Sequence, residues 1–440
     1  MAKQVTIIGA GPAGLLLAHY LLIRGKDRYQ INIYDRRNDP RKVAFSKHRT
    51  YPMSLFERGL SALRNIPGLE EAVKAKGLQV IGSFVYPKNG KANLVARNNP
   101  ITVIDRTVLT IAILDELEKK YDENRVNIHF NCKCIEVNFA NKTAILEKEE
   151  LEKIKIDYDL LIGADGARSI VRKHFANTDN FQCEEKFLPN EYKMLFTPRI
   201  NEKLGIELQE DRFHIRRISD DFSIMAVPQP GNMLSCAVAF KKENNPFVNL
   251  SSQEKVMELF ENHFPALAKF ITPEAAEEFF QNPISNITTV SCNRYHQGDN
   301  AIIIGDAAHA VSPALGQGCN SALEDVVFLD KLLDEYKDDW AKVLPEFTSR
   351  RLPDLHALKD LSENGFPQSK ILFFEFILRQ RATKIIKKIF PQYESKFMFD
   401  TLETTMPYSE ILKLSQNWVN KVKKSNQKLL EKSKLALDKQ

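Results

Sequence analysis

"QVTIIGAGPAGLLLAHYLLIRGKDRYQINIYDRR", Gln4 to Arg37, is the stretch on which the fold turns. A β-branched apolar run predicts a strand, the glycines a turn, the Leu- and Ala-rich run a helix, and "INIYD" a second strand, together a βαβ unit. Gly9, Gly11 and Gly14 stand as G-x-G-x-x-G between the first strand and the helix. In such a turn the first glycine permits the sharp bend and the second lets a pyrophosphate approach the backbone. The third lets helix pack on strand, and the helix N-terminus supplies amides and partial positive charge. Asp35 ends the second strand about 20 residues after the last glycine, where an acid bonds a ribose hydroxyl. The reading is dinucleotide binding, and the turn alone does not choose between NAD and FAD.

Around this unit lie 440 residues, too many for one ordinary core. The 43% hydrophobic and 27% charged composition is that of a globular protein, and a net charge of +5 is small for this length. No nucleic-acid partner is expected. The start shows no signal-peptide pattern, and no run of about 18 apolar residues predicts a spanning helix; "ILFFEFIL" (Ile371 to Leu378) is short and interrupted by Glu375. A cytoplasmic location is expected. The six cysteines do not form a disulfide framework. Cys132 and Cys134 alternate along "NIHFNCKCIEVNF" and should share a face, but no second ligand cluster stands near them, so no metal is expected.

Along the chain, "SLFERGLSALRNI" and "DRTVLTIAILDELEKKY" predict helices, "GSFVYPKNGKANLVA" a hairpin around Asn89-Gly90, and "YDLLIGADG" a buried strand ending in a turn. From 181 to 292 the pattern becomes alternating strands such as "FSIMAVPQP" and "MLSCAVAF", with a helix near "SSQEKVMELFENHF". The chain then returns through "NAIIIGDAAHA" to a strand, a glycine turn and a long helix. The domain reading is therefore a dinucleotide-binding domain over 1–180 and 293–352, a mainly β domain over 181–292 inserted into it, and a helical region over 353–440.

"IGDAAHAVSPALGQGCNSALED", Ile304 to Asp325, offers Asp306, His309 and Ser312 as the parts of a hydrolytic triad. Ser312 precedes Pro313 and so is extended, and no G-x-S-x-G elbow occurs in the chain. His309 in a small-residue turn reads as a structural hydrogen-bonding residue. The physical use of this stretch is different. Asp306 ends a strand, where a carboxylate can accept from a sugar-like hydroxyl, and Gly316 to Asn320 opens a helix whose amides and positive end face a ligand.

This segment, with Gly305, Asp306, Pro313, Gly316, Gln317, Gly318 and Asn320, resembles the Gly-Asp segment of the class A flavoprotein monooxygenases. "YDLLIGADGARSIVRK" is similar to their Asp-Gly segment at Asp165, Gly166, Ser169 and Arg172. The resemblance implies FAD as cofactor, NADPH or NADH as transient reductant, and a small aromatic substrate hydroxylated with O2. It also implies an α/β fold: a Rossmann-type FAD-binding domain with an inserted β-sheet substrate domain and a helical C-terminal region. Within that class the chain is most similar to the kynurenine 3-monooxygenase family, through "YDRRNDPR", "HRTYPMSLFERGLSAL" and "ITVIDRTVLTIAILDEL". That match implies FAD-lining positions at Ala13, Arg37, Ser54, Arg106, Cys134, Cys319 and Asn320, beside Gly9, Gly11, Gly14, Asp35, Asp165 and Asp306. Pro313, Gly316, Gln317 and Gly318 would shape the oxygen-reacting side of the flavin, and no dedicated acid or base is assigned.

On the substrate side, "DLSENGF" and "TTMPYSEIL" place Asn364 and Tyr408 where the family's substrate-contacting Asn and Tyr lie. One departure stands out. Aligned on Gly82 and Gly90, the positions of the family's carboxylate-binding Arg and Tyr hold Ser83 and Arg97. Arg97 either re-supplies a bidentate carboxylate clamp from across the hairpin or is a solvated hairpin arginine. The substrate is thus a small aromatic, carboxylated or polar, and not necessarily kynurenine. The alternatives are an FAD oxidoreductase of related fold without oxygenation and a non-catalytic FAD-binding protein. A halogenase is disfavoured, because its Trp-x-Trp-x-Ile-Pro segment has no counterpart beside Trp340 or Trp418. The basic tail "NWVNKVKKSNQKLLEKSKLALDKQ", with Trp418, Val422, Leu429 and Leu430, suggests weak contact with a membrane surface.

Overall fold

The computed structural model describes residues 2–25, 27–43, 51–87, 91–148, 151–219, 221–248, 250–367, 369–390, 392–393 and 395–437. Its first layer is a six-stranded sheet in the order His296–Gln297, Ala301–Ile303, Leu160–Gly163, Lys3–Ile8, Tyr29–Tyr34, Val126–His129. All its pairings are parallel except that of the short His296–Gln297 edge. A parallel sheet is covered on both faces and so needs continuous apolar strands. Val5, Ile7, Ile31, Ile33, Leu160, Ile162 and Ile302 are accordingly fully buried. The helix Pro12–Ile23 is apolar all round because it lies between the helices Arg106–Lys120 and Gly318–Glu335.

The second sheet has eight strands, in the order Ser285–Cys292, Cys183–Pro198, Met233–Lys241, Phe222–Gln229, Arg212–Arg217, Leu78–Val85, Asn93–Asp105, Pro52–Leu55. The inserted segment therefore does not keep its sheet to itself. Arg212–Arg217 pairs in parallel with Leu78–Val85, so three strands of the N-terminal segment extend the sheet. The hairpin expected over residues 82–96 is present as the longer antiparallel pair Leu78–Val85 and Asn93–Asp105, and its tip, Asn89-Gly90, lies outside the described residues. The sheet rests on a core of its own, with Phe240, Phe247, Phe260, Phe264 and Phe279. A smaller cluster of Phe56, Val80, Ile101, Val103, Phe213 and Val227 lies where the two segments join.

Beyond the return strand, the helices Trp340–Asn364, Lys370–Ile389, Met398–Leu402 and Tyr408–Leu437 complete the molecule. Tyr408–Leu437 packs along Trp340–Asn364. Val419 and Val422 are buried in that contact and Trp418 Nε1 donates to Gly365 O at 3.0 Å, so part of the tail's apolar side is spent on the body. Among the described residues no helix is long and apolar enough to cross a membrane, and no cluster of His, Cys, Asp and Glu could hold a metal ion.

Candidate active site

The glycine turn has the geometry its sequence implies. Gly9 has φ +111°, and a Cβ there would stand 2.4 Å from Ala164 O; a Cβ on Gly14 would stand 2.3 Å from Gly9 O. Only glycine fits either place. Gly11 is the contrast, since a Cβ on it meets nothing within 4 Å, and it caps the helix Pro12–Ile23 without any side-chain hydrogen bond. The turn thus leaves open space beside unclaimed helix amides, the arrangement a pyrophosphate needs. Asp35 accepts from Ala10 N at 2.9 Å and Arg37 N at 2.8 Å. It ties the turn to the second strand, and a carboxylate has lone pairs left for a ribose hydroxyl. Ala13 stands in the first helical turn, 3.6 Å from where a Cβ on Gly305 would sit.

Two further carboxylates await partners. Asp165 accepts from Ile170 N at 2.6 Å through one oxygen, while its other oxygen is buried with no partner. Burial pushes its carboxyl above the usual range. Cys134 is buried nearby, its thiol pushed up to about 12 by burial and then by the Asp165 charge, so it stays neutral. Asp306 makes no hydrogen bond among the described residues. Its charge acts on Arg106, whose Cζ lies 6.0 Å from the Tyr51 ring centroid. Arg106 is the first residue of its helix because Asp105 caps it, accepting from Thr107 N at 2.7 Å.

The turn after Asp306 is built to present backbone. Pro313–Leu315 forms a 3-10 turn, Gly316 follows at φ +65°, and the helix Gly318–Glu335 begins without a side-chain cap. Gln317 sends its side chain elsewhere: Nε2 donates to Leu402 O at 3.2 Å and Oε1 accepts from Tyr408 Oη at 3.0 Å. Asn320 is fully buried and fully used. It donates to Ser54 O at 2.8 Å and Gly316 O at 2.9 Å and accepts from Phe56 N at 2.9 Å. Its side chain therefore holds the turn against the strand Pro52–Leu55. Cys319, beside Asp306, has its thiol pushed up to about 12 by desolvation.

His309 and Ser312 are supports, as expected. His309 Nε2 bonds Asp325 Oδ2 at 2.5 Å, and the same oxygen accepts from Gly305 N at 2.9 Å. Ser312 Oγ accepts from Ala314 N at 3.4 Å. Asp325, missed in the sequence, is the centre of this support. Desolvation would raise its pKa, but His309 and Arg351 outweigh that and hold it below the carboxylate range. Arg351 bonds Asp325 and Asp354 at 2.9 Å each, and Asp354 accepts from Ser409 N at 2.8 Å. The turn Pro313–Gly316 is in this way wired to the C-terminal helix.

The residues that the resemblance assigned to the substrate fall into two groups. Ser83 faces Val95 across the hairpin, and Arg97, two residues on, shares that face. Arg97 lies with its Cζ 5.5 Å from the Phe56 ring centroid and donates to Glu403 at 2.5 Å. Phe56 in turn lies 3.5 Å from where a Cβ on Gly316 would be, so Arg97 stands one ring away from that turn. Tyr408 is wholly buried, its hydroxyl on Gln317 and its ring 4.0 Å beneath the Arg58 guanidinium. Asn364 ends its helix half-buried, with no side-chain hydrogen bond among the described residues. Phe56, Glu403 and the buried Arg58, which pairs with Glu324, were not singled out in the sequence, because each acts through contacts made across distant segments.

The open cradle at Gly11, the orphaned Asp165 oxygen and the unbonded Asp306 are where a dinucleotide's phosphates and hydroxyls would bond, so the residues present fit FAD. The comparisons agree. A family model described as the FAD binding domain matches residues 2–360. Kynurenine 3-monooxygenase of Legionella pneumophila (strain Corby) is 30% identical over 421 residues, covering 94% of this chain and 91% of the relative. That of Sus scrofa is 29% identical over 417 residues, covering 93% and 84%. Among solved structures, 2-methyl-3-hydroxypyridine-5-carboxylic acid oxygenase superposes with a TM-score of 0.66 at 20% identity, covering 82% of this chain and 90% of that one. HpxO of Klebsiella pneumoniae complexed with FAD superposes with a TM-score of 0.60 at 14% identity, covering 98% and 97%. The chain belongs to the FAD-binding domain family and, within it, to the kynurenine 3-monooxygenase family of FAD-dependent aromatic hydroxylases.

Proposed function

We propose that this FAD-dependent aromatic hydroxylase takes a small aromatic substrate carrying a carboxylate, of the kynurenine type, and that Arg97 binds the carboxylate. The observation that carries the reading is the position of Arg97, mostly buried, over Phe56 and beside Glu403. Bound FAD, reduced by NADPH or NADH, supplies activated oxygen; the chain's part is to position the ring and exclude water. Ser54, Asn320 and Gly316 hold the turn that presents helix amides, and Phe56 forms an apolar floor beside it. Arg97 and Glu403 together offer a cation and an anion, which suits a substrate bearing both charges. Asn364 would add a polar contact, and Tyr408 would act through Gln317. The test is to follow NADPH oxidation, oxygen uptake and hydroxylated product with L-kynurenine and with aromatic acids lacking an amino group. Carboxylated aromatics should stimulate turnover and yield product in step with oxygen consumed; equal turnover with uncharged aromatics would sink the reading.

We further propose that a weak membrane-surface contact runs through Lys370–Ile389 and not through the tail at 417–440, from which the sequence suggested one. Ile371, Phe374, Leu378, Ile385 and Ile389 recur at helical spacing and are each at least half exposed. Exposed Arg381 and Lys388 accompany this stripe, a pattern suited to anionic headgroups and repulsive toward a second copy of the same helix. Flotation with phosphatidylserine vesicles should retain the protein at low salt, and Phe374→Glu should release it.

A further inference from the structure

The six cysteines are scattered in sequence, yet folding sets Cys183 and Cys292 side by side. Cys183 opens the strand Cys183–Pro198, Cys292 ends the strand Ser285–Cys292, and the two are direct partners in the antiparallel ladder. Their Sγ atoms lie 3.3 Å apart. Facing residues in such a ladder have Cα atoms about 4.5 or 5.5 Å apart, and both spacings fall within the span of a disulfide. Bond formation thus asks for side-chain rotation without movement of the strands. Cys183 is partly exposed and Cys292 is buried, so an oxidant in solution meets Cys183 first. The Cys292 S–H donates to Cys183 and, with Arg172, outweighs desolvation to hold the Cys183 thiol below its ordinary range. That same bond, with burial, raises Cys292. The arrangement is that of an attacking thiol beside a resolving one.

We propose that Cys183 and Cys292 are a peroxide-sensitive dithiol that hydrogen peroxide converts to a reversible disulfide at the base of the inserted domain. The Cys183 thiolate attacks one peroxide oxygen, the O–O bond breaks, and the departing hydroxide takes a proton to become water, leaving a sulfenic acid. The Cys292 sulfur then attacks that sulfur, the S–O bond breaks, and the leaving hydroxide departs as a second water with the Cys292 proton. Two thiols lose two electrons in total, and one peroxide becomes two waters. Hydrogen peroxide is also what two-electron reduction of dioxygen yields when no ring takes up an oxygen atom, so this chemistry supplies its own oxidant. The disulfide would join the incoming and outgoing strands of the inserted segment, 109 residues apart. It would lie beside Glu185, which grips Arg172, and Arg172 also donates to Ala167 O and Ala307 O in the two cofactor-binding segments.

The experiment treats the FAD-loaded protein with a small molar excess of hydrogen peroxide, alkylates the remaining thiols with N-ethylmaleimide and maps peptides without reductant. The expected product is one Cys183–Cys292 linked species, returned to two thiols by dithiothreitol, with the other cysteines alkylated after unfolding. Because the bond closes a long loop in the unfolded chain, the oxidised protein should melt several degrees higher. In Cys292→Ser, Cys183 should stop as a sulfenic acid trapped by dimedone; in Cys183→Ser, Cys292 should stay unreacted. The proposal is overturned if wild-type Cys183 passes to sulfinic acid without a linked peptide, if methionines oxidise while both thiols remain free, or if Cys292 reacts equally fast in Cys183→Ser.

Discussion

At Arg97 and Gly9 a single side chain, or its absence, should decide what the protein binds. A charge-assisted, bidentate contact between Arg97 and a carboxylate is worth about 1.5–3 kcal/mol, so Arg97→Ala should raise KM for a carboxylated aromatic by roughly tenfold or more, with a smaller change in kcat. Glu403→Gln removes the anion that shares the Arg97 guanidinium. It should lower KM for aromatic acids and raise it for amino acids, and steady-state kinetics on both classes decides; unchanged KM in both variants would remove Arg97 from the site. Gly9→Ala forces an alanine to φ +111° with its Cβ 2.4 Å from Ala164 O. It should yield protein that loses its yellow FAD absorbance on gel filtration. Gly9 was readable in the sequence, because the demand on it is local. Glu403 was not, because its partner lies 306 residues away and no spacing rule connects a loop carboxylate to a distant hairpin.

The turn Pro313–Leu315 and the helix Gly318–Glu335 act as one element, and Asn320 is its fastening. Asn320→Ala leaves Phe56 N, Ser54 O and Gly316 O without the partners they now have. Orphaning buried groups costs about 1–3 kcal/mol each before water relieves it. The variant should therefore melt several degrees lower and hold FAD more weakly, which thermal melts and flavin titration would measure; full FAD affinity would show that the turn does not need its fastening. The sequence named the turn and the helix start correctly, since glycines and a Pro-containing turn carry local conformational information. It read Asn320 as a cofactor-lining position, and what it did not show is that the side chain spends its hydrogen bonds on neighbouring backbone. The same holds for Tyr408, whose hydroxyl is spent on Gln317. Side-chain partners are chosen by packing, which periodicity does not record.

For the whole molecule, acid is the clearest probe. His19 is buried against the helix Arg106–Lys120, its Nε2–H donating to Ile113 O at 3.0 Å and its Nδ1 without a partner. Burial lowers its pKa to about 4. The unfolded chain therefore takes up a proton near pH 6.5 and the folded one does not, so the stability from this group is complete above pH 6.5 and lost as pH falls toward 4. The loss is about 3 kcal/mol for a shift of this size. Stability at pH 7.5 and pH 5, read from urea midpoints, should differ by the roughly 2 kcal/mol this group loses over the 1.5 pH units below 6.5, and His19→Gln should reduce the difference by that amount; an equal slope in the variant would assign the acid sensitivity elsewhere. The sequence by itself determined the βαβ unit, the cofactor turns and the inserted run of strands, because hydrophobic period and glycine placement are local and repeat along the chain. Only the tertiary structure decided that the inserted sheet takes in three N-terminal strands, that Arg97 meets Glu403 over Phe56, and that Cys183 faces Cys292. These depend on strand register and on contacts between segments far apart in sequence, and such contacts form only once the whole core has closed.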